Sequence, residues 1–265
     1  MFTLVKFEET NISTPLKKLF SQSSVEFDHR KEGFDLMKIS CRPKKRYNFL
    51  QKKLMRIYGT SRVKIVSETD IGRIKAFTSS LFMRVLLFNS ALKLLECWQT
   101  PSSAVVVDVH GLCAGLIDKL AAKTGRLRII TCRPERYTKK QLFLLKEYGV
   151  SVAVSAPSAS VAGFDLCLLV DDRIGDVLIP TPSCNVILRV SGKPSGENDF
   201  LLTTPEMPAW AAEIMPEGFS AATFLGALYE INREERCEKL CGEIFTDNTA
   251  AEFKFKDICN IKPCE

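Results

Sequence analysis

The stretch Ala104-Val105-Val106-Val107-Asp108-Val109-His110-Gly111-Leu112-Cys113-Ala114-Gly115 decides the fold. Its first half is a nearly unbroken β-branched run, the pattern of a strand buried on both faces of a parallel sheet. Gly111 then turns the chain into an apolar segment, residues 112–123, which reads as a helix closed by Gly125. The alternation continues downstream. Further strands are predicted at 127–131, 150–154, 165–170 and 186–190, with a helix at 137–148 closed by Gly149. Strands alternating with helices at this spacing imply an α/β domain built on a parallel sheet. A last helix is predicted from Ser220 to about Cys241, because Ser220 is a good N-cap with Pro216 and Gly218 just ahead of it.

Upstream, the pattern is mixed α/β. Strands are expected at 2–7, 34–40 and 62–66. A helix starts at Ser13-Thr14-Pro15, another covers 44–58, and a long buried one covers about 77–98. Gln99-Thr100-Pro101-Ser102-Ser103 has linker composition. The expected organisation is therefore a smaller α/β domain at 1–99, a parallel-sheet domain at 100–243 and an irregular tail at 244–265. Charge follows the same division. The net charge is +6, but residues 1–100 carry 19 basic against 9 acidic side chains, and the remainder 18 against 22.

The 265 residues, 46% hydrophobic and 26% charged, have ordinary globular composition. No run reaches the roughly 18 apolar residues that span a bilayer. The first six residues show no charged region followed by an apolar core, so an export signal is not expected. The expected location is cytoplasmic. The ten cysteines, most of them in apolar runs, are accordingly expected as reduced thiols. Cys237, Cys241, Cys259 and Cys264 match no standard zinc spacing, and no metal is expected.

A dinucleotide site uses G-x-G-x-x-G after the first strand, so that the backbone turns sharply and meets a pyrophosphate at a helix N-terminus. Here Val109 replaces the first glycine, Gly111 keeps the second, and Ala114 is an accepted third, with Gly115 next to it. The acid usually found about 20 residues on is absent, and Arg133 and Arg136 stand there instead. Arginines at that place suit a 2′-phosphate and favour NADP over NAD. The chain thus resembles the Rossmann-fold NAD(P)-binding superfamily with a degenerate glycine motif. From Phe164 to Val170, and then from Asn185 through Lys193-Pro194-Ser195-Gly196 to Phe200, it is also similar to shikimate-dehydrogenase-like and dipicolinate synthase A-type domains. The resemblance implies a Rossmann-like domain with cofactor contacts at Gly111, Ala114, Gly115, Arg133 and Arg136.

Open α/β sheets hold ligands outside the carboxyl ends of their strands. Asp108, His110, Asp171, Asp172 and Lys193 fall at such ends and are the candidate crevice residues. Paired carboxylates there would serve acid–base chemistry, or simply close turns. Between Asp35 and Glu68 ten basic residues occur without an acid, a face suited to nucleic acid or an acidic partner, although no nucleic-acid motif accompanies it. Two functions follow as expectations. One is a protein binding a nucleotide or another small anionic ligand, as an oxidoreductase-like enzyme or a sensor. The other is a non-enzymatic module that has lost its cofactor and engages a partner through its basic half.

Overall fold

The apolar residues of Phe2-Thr3-Leu4-Val5 and Phe34-Asp35-Leu36-Met37 build the first of two main sheets in the computed structural model. It describes residues 2–9, 24–29, 33–41, 52, 64–70, 75–98, 102–157, 162–171, 173–174, 177–178 and 183–261. In chain order the elements begin with β1 (Phe2–Glu9), β2 (Ser24–His29), β3 (Phe34–Cys41), β4 (Lys64–Val66) and α1 (Leu81–Trp98). Next come β5 (Ser102–Asp108), α2 (Ile117–Ala121), β6 (Thr124–Ile130), α3 (Glu135–Tyr148) and β7 (Val152–Ser155). Then follow β8 (Ala162–Asp171), the short pair β9 (Arg173–Ile174) and β10 (Val177–Leu178), β11 (Ser183–Arg189) and β12 (Asp199–Pro205). The last elements are α4 (Ala209–Ala212), α5 (Ala221–Asn232), β13 (Gly242–Thr246), β14 (Glu252–Lys254) and α6 (Phe255–Cys259).

The chain divides into two units, Met1–Phe82 with Met207–Cys237, and Met83–Glu206 with Glu238–Glu265. The division follows packing rather than chain order, so it does not fall at the linker-like stretch around residue 100. The smaller unit holds a sheet in the order β2-β3-β1-β4, parallel at β1–β3 and β1–β4 and antiparallel at β2–β3. Phe34 joins the sheet to α5, stacking on Phe2 at 5.7 Å and meeting Phe224 edge-on at 5.4 Å. Gly226 on α5 lets Ser79 approach so closely that a Cβ there would lie 2.4 Å from the serine Cβ. One turn on, Glu230 accepts hydrogen bonds from the Ser79 hydroxyl and from the Leu81 and Phe82 N–H groups. It thereby satisfies the start of α1, whose own first turn has no acid.

The larger unit is built on one eight-stranded sheet, β14-β13-β12-β11-β8-β5-β6-β7. The six strands from β12 to β7 pair in parallel throughout, and β13 and β14 add antiparallel strands at one end. Numbered along the chain from β5, the parallel strands lie in the order 3-2-1-4-5-6, the doubly wound arrangement. The protein is α/β, and this unit has a Rossmann-like fold. Val105, Val107, Val109, Cys167, Leu169 and Ile187 pack in one buried cluster. At the amino-terminal edge, Asp165 accepts from the Ser103 N–H and hydroxyl, both at 2.8 Å, and from Asn185 at 3.2 Å, holding β5, β8 and β11 in register.

Several expectations shift. The sixth parallel strand, β12, was not foreseen. It is fixed by a buried ion pair between Arg189, the last residue of β11, and Asp199, the first of β12. The Asp199 carboxylate also takes the Ser195 N–H at 2.9 Å and hydroxyl at 3.0 Å, which shapes the turn after Lys193-Pro194. The last helix begins at the Ser220 cap but ends at Asn232, not near Cys241. Arg233 takes a left-handed φ of 61°, and a short 3-10 turn, Glu235–Lys239, follows. The tail expected to be irregular carries β13, β14 and α6, because Phe245 and Ile258 find buried positions. The helices predicted at 16–20 and 44–58 lie almost wholly outside the described residues. Among the described residues no helix is long and apolar enough to cross a membrane.

Replacing Asp199 with Ala leaves the Arg189 guanidinium buried without that carboxylate. The substitution is expected to lower the unfolding free energy by about 3–5 kcal/mol in urea denaturation, and a loss below about 1 kcal/mol would contradict this role of the pair.

Candidate functional site

Parallel pairing brings the carboxyl ends of β5, β8 and β11 to one edge, with Asp108 and Asp171 in register across β5 and β8. This is where the strand order reverses, and where such sheets open a ligand crevice. Asp108 is fully buried. A buried carboxylate is stable only when its lone pairs are taken, and this one is saturated. It accepts from the Leu112 N–H at 2.9 Å, the Cys113 N–H at 2.6 Å, the Tyr137 hydroxyl and the Cys113 thiol. Its backbone carbonyl takes the Gly111 N–H at 3.1 Å. Burial, reinforced by the neighbouring Asp108, pushes both the Tyr137 phenol and the Cys113 thiol well up, so both stay protonated as donors.

The loop after β5 is shaped by this knot. Gly111 sits at φ +66°, and a Cβ there would meet Arg136 Cδ at 2.8 Å and Arg133 Cβ at 3.0 Å. Arg136 donates to the Gly111 carbonyl at 3.3 Å. The end of β6 is tied to the same loop, since Cys132 donates its N–H to the Val109 carbonyl at 3.0 Å, and the Thr131 hydroxyl donates there too, at 3.3 Å. The helix expected over residues 112–123 is confined to α2. The carboxylate of Asp108 holds the N–H groups of residues 112 and 113 in a turn, and regular helix begins only beyond it.

Asp171 accepts the Val109 N–H at 3.0 Å, and its other carboxylate oxygen is buried without a hydrogen-bond partner. Burial raises its pKa above the ordinary 3.8, with nearby His110 opposing the shift and Asp108 adding to it. The structure thus brings Asp108, Gly111, Arg133 and Arg136 into one contact set, with His110 and Asp171 beside it. Arg133, Arg136 and His110 are exposed. Ala114 and Gly115 follow in the same loop, and Lys193 stands exposed after β11 at the same edge. Asp172 lies outside the described residues. Tyr137 and Cys113 are the members that sequence reasoning missed. The available signal was a tyrosine placed to be buried at the start of α3, since a buried phenol demands an acceptor.

Among the described residues no group of three or more His, Cys, Asp or Glu side chains could hold a metal ion. No protein-family model matches the chain, and no curated protein matches it. Among solved structures it is similar to L-tryptophan dehydrogenase from Nostoc punctiforme, with 10% identity, a TM-score of 0.37, and coverage of 90% of this chain and 78% of that one. At that distance the Rossmann-like assignment rests on the strand order itself.

Two outcomes test this geometry. Tyr137→Phe removes one donor from the buried carboxylate and is expected to cost about 1–3 kcal/mol of stability by urea denaturation. For Asp171 the folded state holds its proton more tightly than the unfolded chain, so the residue works against folding once pH rises above its raised pKa. Asp171→Asn should therefore melt above the parent at pH 7, with the difference vanishing below about pH 3.8. A constant difference across that range would refute the assignment.

Proposed function

We propose that the larger unit binds a nucleotide-type anionic ligand, an NADP-type dinucleotide in preference to NAD, and serves as an oxidoreductase-like enzyme or sensor. The observation that carries this reading is the strand order, which reverses between β5 and β8 beside Gly111, where doubly wound sheets hold their ligands, with Arg133 and Arg136 against that glycine. Arg133 and Arg136 would meet a 2′-phosphate, a planar fork being suited to bidentate phosphate contact. The similarity of residues 164–170 and 185–200 to shikimate-dehydrogenase-like and dipicolinate synthase A-type domains supports the fold on which this reading rests.

The pyrophosphate contacts would differ from those of a full glycine fingerprint. Asp108 already takes the N–H groups of Leu112 and Cys113 through its carboxylate, and that of Gly111 through its carbonyl. Ala114 and Gly115 are the loop residues whose N–H groups Asp108 does not take. Affinity would then rest on arginine charge more than on backbone donors, and it would weaken with salt. A bound nicotinamide would supply hydride transfer. His110 and Asp171 lie beside that loop and would orient a substrate at that edge.

The Asp108 knot also favours a second reading, a module that keeps the fold without the cofactor and meets an acidic partner or nucleic acid through its basic half. Titration with NADPH and NADH, followed by nicotinamide fluorescence and thermal shift, separates the two. Saturable binding with NADPH the tighter is expected. The Arg133→Ala/Arg136→Ala double variant should lose about tenfold or more for NADPH and much less for NADH. No response to either nucleotide at millimolar concentration sinks the first reading, and a salt-sensitive gel shift with generic nucleic acid then supports the second.

A further inference from the structure

Eight free cysteines occur among the described residues, and five of them are buried. A thiol serves as a modification site when it is reachable and has a second thiol in range. Two pairs of cysteines lie close enough for their thiols to interact. Cys167 and Cys184 form one, but both are buried in the sheet core. Cys97 and Cys259 form the other, and there Cys97 is exposed and Cys259 half-buried.

The second pair is set by two helices of the larger unit. Cys97 lies in the last turn of α1 and Cys259 ends α6. One turn earlier on each helix, Lys93 Nζ stands 4.8 Å from the centroid of the Phe255 ring. Residues four apart share a helix face, so the Lys93–Phe255 contact and the Cys97–Cys259 contact are successive rungs of one interface. Two further anchors hold α6 in place. Ile258 is buried, and Phe255 packs against Phe245 of β13 at 6.4 Å between ring centroids. The second thiol therefore stands on the same helix interface as the first.

We propose that Cys97 and Cys259 are a reversible redox pair, closing to a disulfide in the folded protein when a peroxide is present. Cys97, the exposed partner, attacks a peroxide oxygen. The O–O bond breaks, one water leaves, and Cys97 carries a sulfenic acid. The Cys259 sulfur then attacks the Cys97 sulfur, the S–S bond forms, and the sulfenic oxygen leaves with the Cys259 proton as a second water. Two thiols lose two protons and two electrons, and hydrogen peroxide is reduced to two waters. Burial and the neighbouring Cys97 push the Cys259 thiol up to about 12, with Lys93 drawing it back, so Cys259 is not the first nucleophile. The bond would fasten the C-terminal strand–helix segment to the end of α1.

The test uses the full chain, folded, treated with a small excess of hydrogen peroxide, then alkylated and mapped by mass spectrometry. The expected product is a monomer lighter by two hydrogens, with Cys97 and Cys259 in one linked peptide that dithiothreitol reverses. In Cys259→Ser the linked peptide disappears and Cys97 stops at a sulfenic acid that dimedone traps. The proposal is overturned if Cys97 in the unsubstituted chain passes to sulfinic acid while Cys259 still alkylates. It is equally overturned if the linked peptides join other cysteines or two copies of Cys97.

Discussion

A single buried carboxylate governs the carboxyl edge of the larger sheet in this protein. Asp108 ends β5, where the strand order of the larger sheet reverses and where a buried carboxylate is costly unless its oxygens are hydrogen-bonded. It stays in place because two backbone N–H groups, a phenol and a thiol converge on it. Those donors come from the loop that follows β5 and from the first turn of α3. Satisfying one charge therefore fixes the crossover loop, the start of the next helix and the seat of Gly111 between two arginines. Asp165 does comparable work at the opposite edge, taking three donors across β5 and β11. Its group is only part-buried, and it holds register rather than closing a loop.

Much of this architecture was legible in the chain. The valine run before Asp108 and the glycines that punctuate the following segments located the parallel strands, because a strand covered on both faces can carry little except apolar residues. The order of those strands was not legible, since it depends on which edge each crossover returns to. The strand β12 was hidden for a related reason. Its first residue, Asp199, belongs inside only because Arg189, ten positions earlier, arrives beside it. The short α2 was misjudged because the apolar residues 112–116 fit a helical pattern, while the competing hydrogen bonds to Asp108 are visible only once the loop has closed. Of the candidate edge residues, Asp108 and Asp171 end neighbouring strands in register, and Gly111 lies against Arg133 and Arg136. Tyr137 escaped because its partner lies 29 residues away on another element.

The two carboxylates at the edge have different consequences despite their register. Asp108 is saturated, and removing a donor from it costs stability without freeing a site. Asp171 keeps one buried oxygen without a partner and a raised pKa, so the fold bears a small destabilisation at neutral pH that a neutral side chain would relieve. Local strain of this kind is tolerated most readily where it serves binding or chemistry. The same contrast bears on the arginines. Arg189 is buried against Asp199, whereas Arg133 and Arg136 remain exposed with Gly111 beneath them.

That arrangement bears on how an anion would be held. In a glycine-rich loop the backbone donors are fixed and neutral, so recognition is geometric and only weakly sensitive to salt. Here Asp108 has claimed the central donors, and it brings its own negative charge close to any phosphate that enters. The cations must offset that repulsion before they contribute net affinity. On the proposed reading, a ligand with a phosphate reaching Arg133 and Arg136 would gain both of their charges. One whose charge is confined to a pyrophosphate over the loop gains less. Under the proposed function the edge would discriminate by where the ligand's charge lies, and that is the physical ground for proposing a 2′-phosphorylated nucleotide over its unphosphorylated counterpart.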